Sequence, residues 1–422
     1  MSPEQPQSTL PPSVGGGGPF AGLRVIELSS TVAGPFCGRL LADFGAEVIK
    51  VEPAEGDPVR WMGLRADNKS LYAASIFRNK KLVALDLRRS DAQEAVRRIT
   101  AACDILVENF RPGSMEKWGL CYDRLSAANP GLIMVRISGY GQDGPYADRP
   151  GYGVTCEAMS GMREITGDPD RPPARVAVSL TDYITGLYAA FGAAMAVHQR
   201  HLTGRGQVID AALYESAFSF MEPHIPAFSK LGVVARRAGS RLPNHTPNNL
   251  YPTGDGRYIH ITAGSQPIFK RLCEAMAQST LVNDPRFATP AARSTNEDAI
   301  DGLIRAWTAT KPLTELESIL GKEEVPASRI YTVADIFADP QYRARNMLVE
   351  VDDPDLGSLT VPGIVPKMSA TPGAIRWGGR RIGEDTVDVL RGVAGLTDSE
   401  IERLRSNGAI FVPPATTRTT AA

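Results

Sequence analysis

Cysteine is scarce in this 422-residue chain: Cys37, Cys103, Cys121, Cys156 and Cys273 form no CxxC pair and no metal-ligand spacing. That excludes a disulfide framework and points to reduced thiols in a cytoplasmic protein, with Cys156 the one candidate for thiol chemistry. Histidine is equally rare, five in all and none in an HExxH arrangement, so no metal site is expected. Neither sign of charge dominates, with 46 basic against 47 acidic residues, which argues against a nucleic-acid partner. No run of about 18 to 20 apolar residues escapes interruption by glycine or charge, so no membrane span is expected. The first βα turn also lacks a dinucleotide fingerprint: "STVAGPFCG" supplies Gly34 and Gly38 in a GxxxG spacing, not GxGxxG, and Glu52 then has no pyrophosphate turn to accompany it as a ribose acid. The opening "MSPEQPQSTLPPSVGGGG" has no apolar core and reads as a flexible leader over 1–20, and the closing residues 413–422 as a flexible tail.

What is present is an alternation of strands and amphipathic helices. "LRVIELSS" (23–30), "AEVIKVEP" (46–53), "KLVALDL" (81–87), "DILVENF" (104–110) and "LIMVRISGY" (132–140) read as strands. Helical spacing in "AGPFCGRLLADFG" and "DAQEAVRRITAAC" separates them, which predicts an α/β fold on a parallel sheet. The composition changes near residue 225, where "RRAGSRLPNHTPNNLYPTGDG" marks a long functional loop. The expected organisation is a large domain over 21–225, a smaller inserted domain over 226–328 and a C-terminal segment over 329–412 that rejoins the first.

One residue breaks the pattern. Asp182 opens the apolar run "DYITGLYAAFGAAMAV", and no Lys, Arg or His follows within fifteen residues. Thr181 or Asp182 could serve as a helix cap. A carboxylate at the head of a buried helix is otherwise costly, and is then kept for chemistry.

The stretches "GLRVIELSSTVAGPFCGRLLADFGAEVIKVEPAEGDPVR", "NKKLVALDLR", "DILVENFRPGSMEKWGL", "RISGYGQDGPYADRPGYG", "EAMSGMREITG" and "GRGQVIDAALYESA" occur in the order found in the family III CoA-transferases, and from about residue 20 to 400 the chain resembles that family. The family includes formyl-CoA:oxalate and crotonobetainyl-CoA:carnitine CoA-transferases and the related α-methylacyl-CoA racemases. The resemblance implies a Rossmann-like large domain with a smaller inserted α/β domain, in an intertwined homodimer whose active sites lie between domains of different subunits. It implies that Asp182 is the nucleophile. It carries coenzyme A contacts onto Val32 and Ala33 after the first strand, onto Leu85 and Arg88 of "LDLR", onto Asn109, Phe110, Arg111 and Lys117 of "NFRPGSMEK", and onto Tyr152 and Gly153 of "RPGYG". Two features depart from the pattern: Gly153 stands where many relatives carry an acid, and "ITAGSQ" (261–266) replaces a glycine-rich loop of the oxalate-using members.

The implied reaction moves CoA from an acyl-CoA to a small carboxylic acid through an aspartyl anhydride and an aspartyl thioester. CoA and acyl-CoA are substrates and no cofactor is permanently bound. An acyl-CoA racemase is the rival within the family; it needs a second base, and no histidine precedes His198. A catalytically silent CoA-binding protein is the third reading. The loop residues Arg236, Arg237, Arg241 and His245 either offer a fork of donors to a second substrate carboxylate, which would favour dicarboxylates such as succinate, or are cations solvated on a surface loop.

Overall fold

The structure, a computed structural model, describes residues 17–414. The expected leader and tail lie outside the described residues over 1–16 and 415–422.

Short runs rich in Val, Ile and Leu pair into one sheet. Its parallel strands are β1 (Arg24–Leu28), β2 (Glu47–Glu52), β3 (Lys80–Leu85), β4 (Ile105–Glu108), β5 (Ile133–Ser138) and β6 (Val208–Ala212). They lie in the order β3-β2-β1-β4-β5-β6, and Ile410–Phe411 adds an antiparallel strand at the β3 edge. Such strands are apolar almost throughout because helices cover both faces. On one face Ile26, Ile49, Val83, Leu106 and Met134 pack with Ala92, Val96, Leu390 and Leu404. On the other, Val25, Val48, Ile105 and Val135 pack with Cys37, Leu41, Ala189 and Ala193.

The helices that matter below are α1 (Ala33–Asp43), α2 (Ser90–Ala101), α3 (Gly153–Met159) and α4 (Leu180–Thr203). Small residues let α4 approach closely: a Cβ on Gly186 would stand 2.6 Å from the Ala33 carbonyl oxygen in α1. By length and composition α4 could cross a membrane. Its buried face is instead Thr181, Thr185, Gly186, Ala189, Ala193 and Ala196, seated within the sheet domain.

The chain forms two compact units, residues 17–161, 176–222 and 343–414 making one and 162–175 with 223–342 the other. The second unit holds a three-stranded antiparallel sheet of Asn248–Pro252, Tyr258–Thr262 and Ala327–Arg329. Its core gathers Tyr251, Ile259, Phe269, Phe287, Ile300 and Leu316. These limits differ from the expected 226–328, and polar contacts explain why. Arg237 draws in 162–175 by donating to the carbonyls of Glu164 (3.1 Å) and Asp168 (3.2 Å). Beyond 328, Arg329 is held by Glu317 at 2.7 Å, so the chain returns to the sheet domain only after 342. There Asp385 accepts from the Leu82 amide (2.8 Å) and Thr386 from that of Ala84 (3.0 Å), tying the C-terminal segment to β3.

Candidate active site

Strand order reverses between β1 and β4, so the loops leaving their carboxyl ends diverge and leave a crevice. Ser30 and Asn109 stitch the two loops together: the Ser30 amide donates to Asn109 Oδ1 and Asn109 Nδ2 donates to the Ser30 carbonyl, both at 2.8 Å. Thr31 takes a left-handed φ of +68°, unusual for a β-branched residue. Its amide donates to Asp57 Oδ1 at 2.9 Å. Beneath the loop, fully buried Lys50 donates to the Ser29 carbonyl at 2.6 Å and pairs with Asp57 at 2.8 Å. Lys80, its pKa pulled down to about 8 by burial against the pull of Glu27, pairs with that carboxylate at 2.6 Å. Buried charges thus set the shape of residues 29–31. The GxxxG glycines serve the same place: a Cβ on Gly38 would meet Glu27 Oε2 at 1.9 Å, and one on Gly34 would meet Ser29 Cβ at 2.3 Å.

Asp182 stands in the first turn of α4. The N-cap is Ser179, so neither Thr181 nor Asp182 caps the helix. The half-buried carboxylate borders an open cleft of about 640 Å³, with Ser30, Thr31, Ala33, Asn109, Phe110, Arg111, Tyr152 and Gly153 also in its wall. Two glycines bring the Tyr152 segment there. A Cβ on Gly139 would fall 2.6 Å from the Gly151 Cα, so the chain after β5 and the chain before α3 touch backbone to backbone. Cys156 Sγ donates to the Gly139 carbonyl at 3.3 Å. Burial raises that thiol to about 11, which removes it as a nucleophile at neutral pH.

A second groove continues from the first through the shared residues Ser30 and Phe110, and is lined by Val51, Leu85, Leu87, Arg88 and Trp118. Phe110 is fixed edge-on against Trp118, ring centres 4.8 Å apart. Arg88 is 77% exposed and bound to Asp86 at 2.7 and 3.0 Å. Of the residues expected to touch CoA, the structure brings together Ala33, Leu85, Arg88, Asn109, Phe110, Arg111, Tyr152 and Gly153 along these two connected grooves. It does not add Val32 or Lys117. Val32 is buried in an apolar cluster with Val59, Ile76 and Phe77, because it begins α1 facing inward. Lys117 ends the short helix Ser114–Lys117, exposed and outside both linings. Sequence reasoning missed Ser30, Thr31, Ser138 and Arg149 in the cleft wall and the acids Glu55 and Asp57 in the groove, and set Glu52 aside with the dinucleotide reading. The position of "SST" at the end of the first strand was the available signal.

The arginine-rich loop of the second unit differs from expectation. Arg241 is bound by Asp298 (2.7 Å) and Asp301 (2.8 Å), with Glu297 at 3.5 Å. Arg237 pairs with Glu164 at 3.0 Å. His245 lies over Gly264, whose Cβ would stand 2.7 Å from the ring. The two better-buried guanidiniums are spent on the unit's own acids and carbonyls, leaving Arg236, 77% exposed and 4.0 Å from Glu164, as the loosest of the three. The expected fork for a substrate carboxylate is therefore not assembled.

The profile described as CoA-transferase family III matches residues 20–386. The chain is 45% identical over 394 residues to the succinyl-CoA–D-citramalate CoA-transferase of Chloroflexus aurantiacus, covering 93% of this chain and 98% of that one. It is 34% identical to the succinate–glutarate CoA-transferase of Agrobacterium fabrum, covering 88% of this chain and 95% of the relative. Among solved structures, a CAIB/BAIF family protein from Brucella suis superimposes with a TM-score of 0.80 at 34% identity, over 89% of this chain and all of the other.

Proposed function

The chain belongs to CoA-transferase family III and moves CoA from an acyl-CoA to a carboxylic acid, and we propose that Asp182 is the nucleophile and that the grooves joined at Phe110 hold the CoA ester. One observation supports the reading: among the described residues lining the cleft at the β1/β4 reversal, Asp182 is the single acid. Its carboxylate attacks the donor thioester carbonyl and expels CoA thiolate, leaving a mixed anhydride. The thiolate then attacks the aspartyl carbonyl and releases the donor acid, which forms an aspartyl–CoA thioester. The acceptor carboxylate attacks that thioester, CoA leaves again, and its attack on the acceptor acyl carbon frees Asp182. Every step is an acyl transfer between groups of similar activation, so positioning and oxyanion stabilisation are what the protein supplies.

Ala33, Asn109, Arg111, Tyr152 and Gly153 are assigned to the pantetheine and thioester end, and Leu85, Arg88 and Phe110 to the nucleotide end. Dicarboxylates are the proposed acids. The named substrates of the relatives support this, as do Arg111 and Arg149, two cations in the cleft wall. A Rossmann-like reading of the sheet domain rests on its strand order. An interlocked homodimer is supported by the stripe of Leu187, Phe191 and Met195, each more than half exposed along one side of α4. The setting proposed is cytoplasmic. Racemisation would need a second base beside Asp182, and among the described residues lining the cleft there is neither a histidine nor another carboxylate.

The test is covalent. Incubated with succinyl-CoA and no acceptor, then with hydroxylamine, the enzyme should yield a hydroxamate on the Asp182 peptide, read by mass. An unmodified peptide, together with exchange of the substrate α-proton for deuterium, would favour the racemase.

A further inference from the structure

We propose that Gly153 is a positioning residue for the nucleophile: the missing side chain at 153 leaves the space that the Asp182 carboxylate occupies. The proposal rests on Asp182 being the nucleophile. A Cβ built on Gly153 falls 2.0 Å from Asp182 Oδ2, 2.9 Å from Cγ and 3.3 Å from Oδ1. These three nearest atoms are all the carboxyl group itself. Gly153 is not among the glycines of positive φ, so no backbone strain calls for glycine there. Close approach to Asp182 is the reason that remains.

Neither partner's main chain has room to back away. The segment before α3 is pressed against Gly139 through Gly151, and the Thr155 and Cys156 amides both return to the Tyr152 carbonyl, at 2.9 and 3.0 Å. The head of α4 is set by Gly186 against the Ala33 carbonyl. What can yield is the aspartyl side chain. A methyl group at 153 would rotate the carboxylate out of its present place while the surrounding fold persists.

A displacement of about 1 Å at a reacting group costs on the order of 10²-fold in rate. Gly153→Ala should therefore lower kcat by about that factor, a larger change than any rise in the KM for succinyl-CoA that its place in the pantetheine end brings. Gly153→Ala turning over like wild type would overturn the proposal. So would a raised KM at unchanged kcat, which would make Gly153 a ligand contact only. The nucleophile reading is tested separately by Asp182→Asn: if that variant is inactive while Gly153→Ala is fully active, only the positioning role falls. If Asp182→Asn is active, the nucleophile assignment falls first. Thermal unfolding supplies a readout independent of activity and covers poor folding of the single variant. If the added methyl collides with the carboxylate, the double variant Gly153→Ala, Asp182→Ala should recover the stability that Gly153→Ala loses in the wild-type background. Purely additive losses would place the collision elsewhere and overturn the proposal.

Discussion

Two stretches of this chain are dense in residues that invite a functional reading, and the structure treats them differently. Residues 138–153 are marked by glycine and tyrosine, and their glycines let backbones meet so that Tyr152 and Gly153 border the same cleft as Asp182. Residues 236–241 are marked by arginine, and their better-buried guanidiniums are engaged by Glu164, Asp298 and Asp301. A glycine without positive φ reports a close approach that something must exploit. An arginine reports a charge without saying whether the protein's own acids already hold it.

The comparison breaks most directly at Asp182. If Asp182 is the proposed nucleophile, replacement by Asn should reduce transfer at least about 10³-fold, since a group that makes the covalent bond has no substitute nearby. Product CoA esters measured by mass spectrometry, in a sample checked for deamidation, provide the assay. Arg236→Ala in the other stretch should leave turnover within about twofold. An equal loss in both variants would erase the distinction.

Arg241 sharpens it. Asp301 is buried and also accepts from Tyr251 (2.6 Å) and Asn249 (2.7 Å), so removing Arg241 leaves a buried carboxylate with fewer donors and without its ion-pair partner. Arg241→Ala should cost about 1–3 kcal/mol of stability, or roughly 2–4 °C per kcal/mol in melting temperature. The KM for the acceptor acid should not change. A raised acceptor KM at unchanged melting temperature would return the loop to substrate binding.

How much of this was legible follows from the same contrast. The parallel sheet was readable because strands covered on both faces are continuous in Val, Ile and Leu, and each was followed by amphipathic spacing. Asp182 was readable as a charge that an apolar helix does not need. Val32 was not: its place in the turn is the one the family motif marks, but its side chain faces inward onto Val59 and Phe77. The segment 162–175 also escaped notice, because its attachment depends on Arg237 reaching main-chain carbonyls, which leave no trace in composition. Buried Glu27 and Lys50 fell in runs that read simply as strands and Lys80 just before another, and their mutual pairing is visible only in three dimensions.

Outside both stretches, the proposed nucleotide end of the groove should respond more weakly than the cleft. Arg88 is exposed and already bound to Asp86, so a ligand phosphate competes for it in water. Arg88→Ala should raise the KM for succinyl-CoA about three- to tenfold and leave kcat nearly unchanged, because a contact far from the carbonyl holds ground and transition states alike. Initial rates against CoA ester concentration measure it. A fall in kcat without a change in KM would place Arg88 in the chemistry.

The smallest effect concerns the loop that the two grooves share. Glu108 ends β4, accepts from the Phe110 amide at 2.8 Å and pairs with Arg136 at 2.8 Å. Burial raises its carboxyl from 4.5 to about 7 despite the neighbouring guanidinium. The folded protein therefore holds a proton that the unfolded chain has released, between about pH 4.5 and 7. The stability this contributes is complete below 4.5 and is lost as pH rises through 7. Glu108→Gln carries no titrating group there, so its unfolding free energy should fall less than that of the wild type from pH 5 to pH 8, by a difference on the order of 1 kcal/mol. Neither protein needs substrate for this comparison, which keeps the measurement apart from catalysis. Parallel pH profiles would show that Glu108 stays ionised, held down by Arg136, and that the Phe110 turn is insensitive to pH in this range.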